Sequence, residues 1–211
     1  MKIWSDSIPA GGAIPSRFAL GRPHPQTHAE PSENVSPHLA FSDLPSGTKS
    51  LALLVVDPDA PVDRTLANRG DLRLGLDTAR ADFFHWMLVD IPPSASPLSE
   101  GEFSRGVTAR GKPGPDGPRG TRSGLNDYTR WFEGDAAMDG KYFGYDGPWP
   151  PWNDELVHRY EFRLLALDVP RFPLEGPFDG RQALAAARGH VLGESSFVGT
   201  YRINPQARER A

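Results

Sequence analysis

Three short stretches of the chain place chemically capable side chains beside apolar runs. The first, Asp57-Pro58-Asp59-Ala60-Pro61, sets two carboxylates among prolines that fix the backbone between them. The second, Phe83-Phe84-His85-Trp86-Met87-Leu88-Val89, sets one histidine in an apolar segment. The third, Gly144-Tyr145-Asp146-Gly147-Pro148-Trp149-Pro150-Pro151, leads to His158-Arg159-Tyr160. Asp57, Asp59, His85 and His158 are the residue types of a two-His, two-carboxylate metal site, which activates water. Each stretch also has a plain structural reading. The aspartates bond backbone amides in a turn, a lone histidine on an apolar face usually serves the core, and the third stretch is a stiff surface turn with Trp149 as a packing residue. No Gly-x-Ser-x-Gly elbow or phosphate-cradling Gly-rich loop accompanies them, and no residue has the setting of a nucleophile.

Strands must carry these groups. Ser50 to Asp57 is an apolar run bounded by Pro45-Ser46-Gly47 and Pro58, which reads as a buried strand. Phe83 to Ile91 is a second, stopped by Pro92-Pro93, and alternation places His85 on one face with Met87 and Val89. Tyr160 to Leu167 is a third; period 2 puts His158, Tyr160, Phe162 and Leu164 on one face, so a histidine and a tyrosine project together at its start. Lys2 to Ile8 and Ser196 to Ile203 are weaker candidates. One helix is signalled by Asp179 as N-cap, Gln182 three residues on, the run Ala183 to Ala187, and Gly189 as a stop. Val62 to Asp82 and Gly101 to Lys141 are longer than ordinary connections. The second carries Tyr128, Trp131 and Phe132, aromatics that anchor part of it to the body. Nothing resembles an interdomain linker, so residues 1–211 read as one domain.

Composition narrows the field. The 211 residues include 22 Gly and 22 Pro, about a fifth of the chain against roughly 12% in average usage. Helix interiors exclude Pro and disfavour Gly, which argues against an α-bundle. With no Cys, a disulfide scaffold, a thiolate zinc site, an iron–sulfur cluster and a Cys nucleophile are excluded. A net charge of −4 gives no electrostatic footprint for nucleic acid. The longest apolar run, Leu51 to Val56, is too short to span a bilayer. The N-terminus has no basic segment followed by an apolar one, so a cytoplasmic location is expected.

Together the three stretches resemble the phosphatidylethanolamine-binding protein (PEBP) family, most closely its bacterial, Raf kinase inhibitor-like branch. Asn34-Val35-Ser36-Pro37, His190-Val191-Leu192 and Gly199-Thr200-Tyr201 add to the match, which runs in order along nearly the whole chain. The resemblance implies a mainly β fold: a Greek-key-like body of two antiparallel sheets, a few peripheral helices and long loops. It implies a small pocket for anionic groups, with no metal and no cofactor. Asp57 and His85 would face the pocket, Gly147, Pro148, His158 and Tyr160 would complete it, and Asp59 would tie down its loop. Pro58, Pro61, Trp86, Trp149, Pro150 and Pro151 would support its walls. Histidines and a tyrosine donate to phosphate oxygens, and Asp57 would orient a histidine or keep it charged. The chain departs from the vertebrate pattern where Arg80 stands near the place of an additional tyrosine, and it has no clear counterpart to a second one near the C-terminus.

Three functions follow in order. The first is a binding protein for a small anionic or phosphorylated ligand. The second is a protein-interaction role, as kinase-pathway modulator or protease inhibitor, with Arg105, Arg110, Arg119 and Arg122 beside Trp131 as contact surface. The third is a hydrolase using Asp57, His85 and His158. A homodimer is compatible with all of them.

Overall fold

The computed structural model describes residues 1–210. Its strands are β1 (Lys2–Trp4), β2 (Gly21–His24), β3 (His28–Pro31), β4 (Ala40–Ser42), β5 (Ser50–Pro61), β6 (Arg80–Ile91), β7 (Gly111–Lys112), β8 (Arg122–Ser123), β9 (Lys141–Tyr142), β10 (His158–Leu167) and β11 (Val191–Tyr201). The α-helices are α1 (Tyr128–Trp131) and α2 (Gly180–Ala187). One antiparallel sheet dominates, in the order β11-β10-β5-β6-β8, and three two-stranded sheets (β1-β4, β2-β3, β7-β9) surround it. The chain is mainly β, as expected.

Strand β5 lies at the centre because both its faces are apolar, and a strand covered on both sides reads as a continuous hydrophobic run. Leu51, Leu53 and Val55 face a large core with Trp86, Leu88, Phe162 and Leu164. Ala52, Leu54 and Val56 face a second core with Phe84, Met87, Val89 and the α2 residues Ala183 and Ala187. Each fully buried Leu or Val contributes about 1.5–3 kcal/mol. Helix α2 starts on the expected capping box, the Asp179 carboxylate accepting from the Gln182 amide while the Gln182 side chain accepts from the Asp179 amide.

The differences from the sequence reading fall where the strands meet the loops. Strand β5 continues through Asp57-Pro58-Asp59-Ala60-Pro61 instead of ending in a turn, with a break in register between Asp57 and Ala60. At the N-terminus only Lys2–Trp4 is strand, and the last strand begins earlier than expected, at Val191. A β-bulge in β6 has the largest consequence. Val55 pairs with Trp86 and Val56 with Phe84, leaving His85 as the extra residue. His85 therefore does not share a face with Met87 and Val89. The bulge sends Phe84 to the α2 side and turns His85 to the face of Tyr160 and Asp57.

Both long segments are tied to the body. Lys112 reaches Asp146 at 3.0 Å, β8 joins the main sheet, and the Asn153 amide holds the carbonyls of Leu66 and Leu72 in the 62–82 segment. No helix among the described residues is long and apolar enough to cross a membrane.

Candidate functional site

The ends of β5, β6 and β10 meet on the large-core face. Asp57, His85, His158 and Tyr160 are all buried there, and the His85 and Tyr160 rings meet edge to face at 5.2 Å. The bulge in β6 and the strict alternation of β10 bring these side chains to one place.

Their charges form a chain. The His158 Nδ1–H donates to Asp57 Oδ2 at 2.7 Å, and Nε2–H donates to Asp154 Oδ2 at 3.1 Å. Asp154 in turn receives a two-pronged contact from Arg80, at 2.5 and 3.0 Å. Burial alone would lower the pKa of His158, but the Asp57 charge and the bonds to both carboxylates hold it at about 9. His158 is an imidazolium at neutral pH, and both its N–H groups are used. Burial pushes the Asp154 carboxyl up, yet the bonds from His158 and Arg80 outweigh that and keep its pKa below the ordinary value. Asp59 accepts a bidentate pair from Arg159 at 2.8 and 2.9 Å and the Arg159 amide at 3.1 Å. These bonds overcome its burial and lower its pKa, and they tie the end of β5 to β10, where the sequence reading expected Asp59 to hold a loop.

His85 behaves oppositely. Burial lowers its pKa against the pull of Asp57 and neighbouring acids, so it is neutral at pH 7. Its Nδ1 faces the Asp146 carbonyl at 2.8 Å; a carbonyl only accepts, so Nδ1 carries the proton. Nε2 then bears a lone pair and has no partner among the described residues. Asp146 is itself immobilised, its carboxylate accepting from Asn34 at 2.7 Å and Asn126 at 2.8 Å and pairing with Lys112.

Gly147 and Pro148, expected to complete the pocket, stand behind it. The Gly147 amide donates to Asn34 and its carbonyl accepts from Tyr128, while the Pro148 carbonyl accepts from the amides of Leu20 and Gly21. A Cβ on Gly147 would lie 2.0 Å from the Phe18 carbonyl oxygen. Gly147→Ala is thus expected to destabilise the fold by about 1–3 kcal/mol in urea unfolding. Unchanged stability would show that the 147–148 backbone is free to move.

The cleft is lined by Asp57, Phe83, His85, Tyr160 and His158, with Pro61, Trp149, Pro150 and Pro151 as wall, and by Tyr128 and Trp131. Its cavity volume is about 20 Å³, enough for one or two water-sized atoms, so it takes the end of a ligand and not the whole. Trp86, expected as wall support, lies fully buried beneath the site, edge-on to Tyr145 at 5.4 Å. The Tyr160 hydroxyl is buried without a hydrogen-bond partner. The nearby Asp57 carboxylate accepts from the Asp59 amide and from His158. Burial, then the Asp57 charge, push the hydroxyl pKa well above its usual value, so it stays a neutral donor. An orphaned buried hydroxyl destabilises the protein. Tyr160→Phe is expected to raise stability by about 1 kcal/mol while weakening ligand binding about tenfold; lower stability in thermal unfolding would mean the hydroxyl has a partner.

Sequence reading missed Tyr128 and Trp131 as cleft residues, because only long-range folding brings the 101–141 segment to the site. It also missed Asp154, which folds back to His158 through an Asx-type turn with the Leu156 amide at 3.0 Å. The arginine surface beside Trp131 is broken up. Arg122 is buried against Asp90 and the carbonyls of Phe172 and Leu174, and Arg119 clamps the carbonyls of Ala95 and Pro97. His24 and His28, four residues apart, belong to the β2–β3 hairpin: His24 Nδ1 accepts from the Thr27 amide and His28 stacks on Trp152 at 4.2 Å. The bonds from His158 to Asp57 and Asp154 occupy both of its ring nitrogens.

Comparison with known proteins identifies the family of the fold. Residues 4–202 match the family model described as phosphatidylethanolamine-binding protein. A protein of Methanothermobacter thermautotrophicus is 33% identical over 191 residues, covering 90% of this chain and 91% of its own. YbhB of Escherichia coli is 28% identical over 201 residues, covering 95% and 99%. The crystal structure of E. coli YbcL, described as a member of the mammalian PEBP family, superposes with a TM-score of 0.67 at 24% identity over 95% of this chain and 97% of that one; at that identity the likeness concerns the fold. On the family match and on this coverage, the chain belongs to the phosphatidylethanolamine-binding protein family.

Proposed function

We propose that the cleft binds the phosphoryl end of a small phosphate monoester or a like anion, and that His85 gains a proton in the complex. The observation that carries this reading is the Tyr160 hydroxyl, buried without a hydrogen-bond partner, beside a His85 ring whose bond to the Asp146 carbonyl uses Nδ1 and leaves Nε2 free, in a cleft walled by Pro and aromatic side chains. His158 supports the site without donating to the ligand, since both its N–H groups are committed. The Asp57–His158 pair adds no net charge, so attraction for an anion comes from Tyr160 and from charging His85. The cleft holds only the phosphoryl tip, and the half-buried Trp131 and Trp149 side chains are the walls that give way as it enters.

The pH dependence follows from the direction of the His85 shift. Unliganded, its pKa lies below 6.5; an anion in contact raises it. Between those two values binding takes up a proton, so affinity increases as pH falls. Below the ligand's own second acidity, near pH 6, the ligand itself brings the proton that His85 gains, so net uptake stops and the profile levels off. Calorimetric titration with inorganic phosphate and phosphoethanolamine from pH 8 to 6 is expected to show affinity rising by up to about tenfold per pH unit. No heat with either compound at any pH, or a flat profile, contradicts the proposal.

A further inference from the structure

Three carboxylates act on the neutral His85 ring, and each of them has a cation of its own. Asp57 of β5 is bonded to His158 of β10 at 2.7 Å. Asp127, just ahead of α1, pairs with Arg181 of α2 at 3.3 Å. Asp146, whose carbonyl accepts from His85 Nδ1, pairs with Lys112 of β7 at 3.0 Å. The remaining titratable neighbours, Tyr128 of α1 and Tyr160 of β10, stay uncharged because burial raises both hydroxyl pKa values.

The three cations differ in how far water weakens them. The Arg181 side chain is 49% exposed, so its pairing is screened. His158 is tied to two carboxylates, and its loss disturbs more than one charge. Lys112 and Asp146 are only 12% and 2% exposed, so their charges act with little screening. Lys112 is also fully used as an ammonium. Its Nζ donates to Asp146 Oδ1, to the Tyr145 carbonyl and to Ser104 Oγ at 3.5 Å, one acceptor for each hydrogen. Burial lowers its pKa against the pull of Asp146.

The backbone is shaped to bring this lysine in. Strand β7 pairs in parallel with β9, Lys112 against Tyr142, and Gly111 beside it adopts φ 93. A Cβ on Gly111 would lie 2.3 Å from the Lys141 carbonyl oxygen, so the two segments approach this closely only with glycine there. Asp146 meanwhile grips His85 twice, its amide donating to the His85 carbonyl at 3.1 Å and its carbonyl accepting from Nδ1 at 2.8 Å. Asn34 and Asn126 both donate to the Asp146 carboxylate, which favours its ionised form.

From this arrangement we infer that Lys112 is a positioning residue for the cleft: by neutralising Asp146 it keeps His85 uncharged until an anion enters. Lys112 is not among the cleft-lining residues and acts through Asp146. The 101–141 segment thereby serves binding as the carrier of a buried cation. The consequence for binding rests on the cleft taking a phosphoryl group, whereas the effect on ligand-free His85 does not.

Ring nitrogen-15 NMR of ligand-free protein between pH 8 and 4 reads the His85 pKa. Lys112→Gln keeps a donor for Asp146 and removes the charge. His85 is expected to titrate about one unit higher than in wild type, because an unneutralised carboxylate then stands behind it. Combining Lys112→Met with Asp146→Asn removes both charges, and His85 should return to within about 0.3 unit of its wild-type pKa. A lysine that only shapes the backbone would leave the double variant as disturbed as the single one. An unmoved His85 in Lys112→Gln, or a His85 displaced by about a unit in the double variant, overturns the inference. Titration with inorganic phosphate then tests binding separately: in Lys112→Gln the pH-linked rise in affinity should move up by the same unit. A shifted His85 with an unshifted phosphate profile, or no phosphate binding to wild type, overturns the cleft reading and leaves the role of Lys112 to the ligand-free titration.

Discussion

Replacing His158 by alanine is expected to cost the protein about 3–5 kcal/mol of stability. The reason is arithmetic on buried charge. Asp57 and Asp154 are both buried and both bonded to His158. Removing the imidazolium leaves Asp57 with no cation bonded to it and Asp154 with Arg80 alone. For a domain of this size the loss corresponds to a fall in Tm of roughly 10 °C. The pH dependence gives an independent check. His158 has a folded-state pKa of about 9, above the unfolded value near 6.5. A raised pKa contributes stability that is fully present below the unfolded value and is lost as pH rises through the folded one. Wild-type stability should therefore fall between pH 6.5 and 9, by on the order of 3 kcal/mol from this group. Urea unfolding across that window checks both points. A wild-type curve as flat as that of the variant would mean that His158 is neutral in the folded protein.

Substitution of His85 should instead act on the ligand. His85→Phe keeps a ring of similar shape but removes Nε2 and leaves the Asp146 carbonyl without its donor. Loss of a charge-assisted hydrogen bond to the phosphoryl group corresponds to about 10–100-fold weaker binding. The orphaned carbonyl costs about 1–3 kcal/mol of stability, less than the loss at His158. The two histidines should thus separate in experiment, His158 dominating unfolding and His85 dominating affinity. Calorimetric titration and urea unfolding of the same two variants decide this. Unchanged affinity in His85→Phe would place the ligand elsewhere.

Much of the frame was legible from local pattern. The apolar run of β5, the aromatic run of β6, the alternation of β10 and the capping box of α2 are all dictated by side chains within a few residues of each other. That His158 and Tyr160 share a face with Phe162 and Leu164 follows from period 2 alone. The bulge was not legible. One extra residue in β6 reverses the face of His85, and its cause lies in the pairing with β5, which no feature of the segment 83–89 reveals. The same holds for the second carboxylate on His158. In an extended strand, residues four apart do not touch, and Asp154 reaches His158 only because the chain turns between them. Tyr128 and Trp131 lie in a segment whose composition reads as loop, and its place against the cleft depends on Lys112, Asn126 and Asp146, residues far apart in sequence. Gly147 and Pro148 could be recognised as rigid, but which layer they occupy depends on Phe18, Leu20 and Asn34.

The central claim is that His85, neutral with its proton on Nδ1 in the free protein, becomes an imidazolium when a phosphate monoester enters, while His158 is an imidazolium throughout. Nitrogen-15 NMR of ring-labelled histidines at pH 7, with and without saturating phosphoethanolamine, reads this directly. The expected result is that His85 Nε2 moves from the shift of a bare ring nitrogen to that of a protonated one, with the His158 nitrogens in the imidazolium range in both spectra. A His85 spectrum unaltered by the ligand would contradict the account.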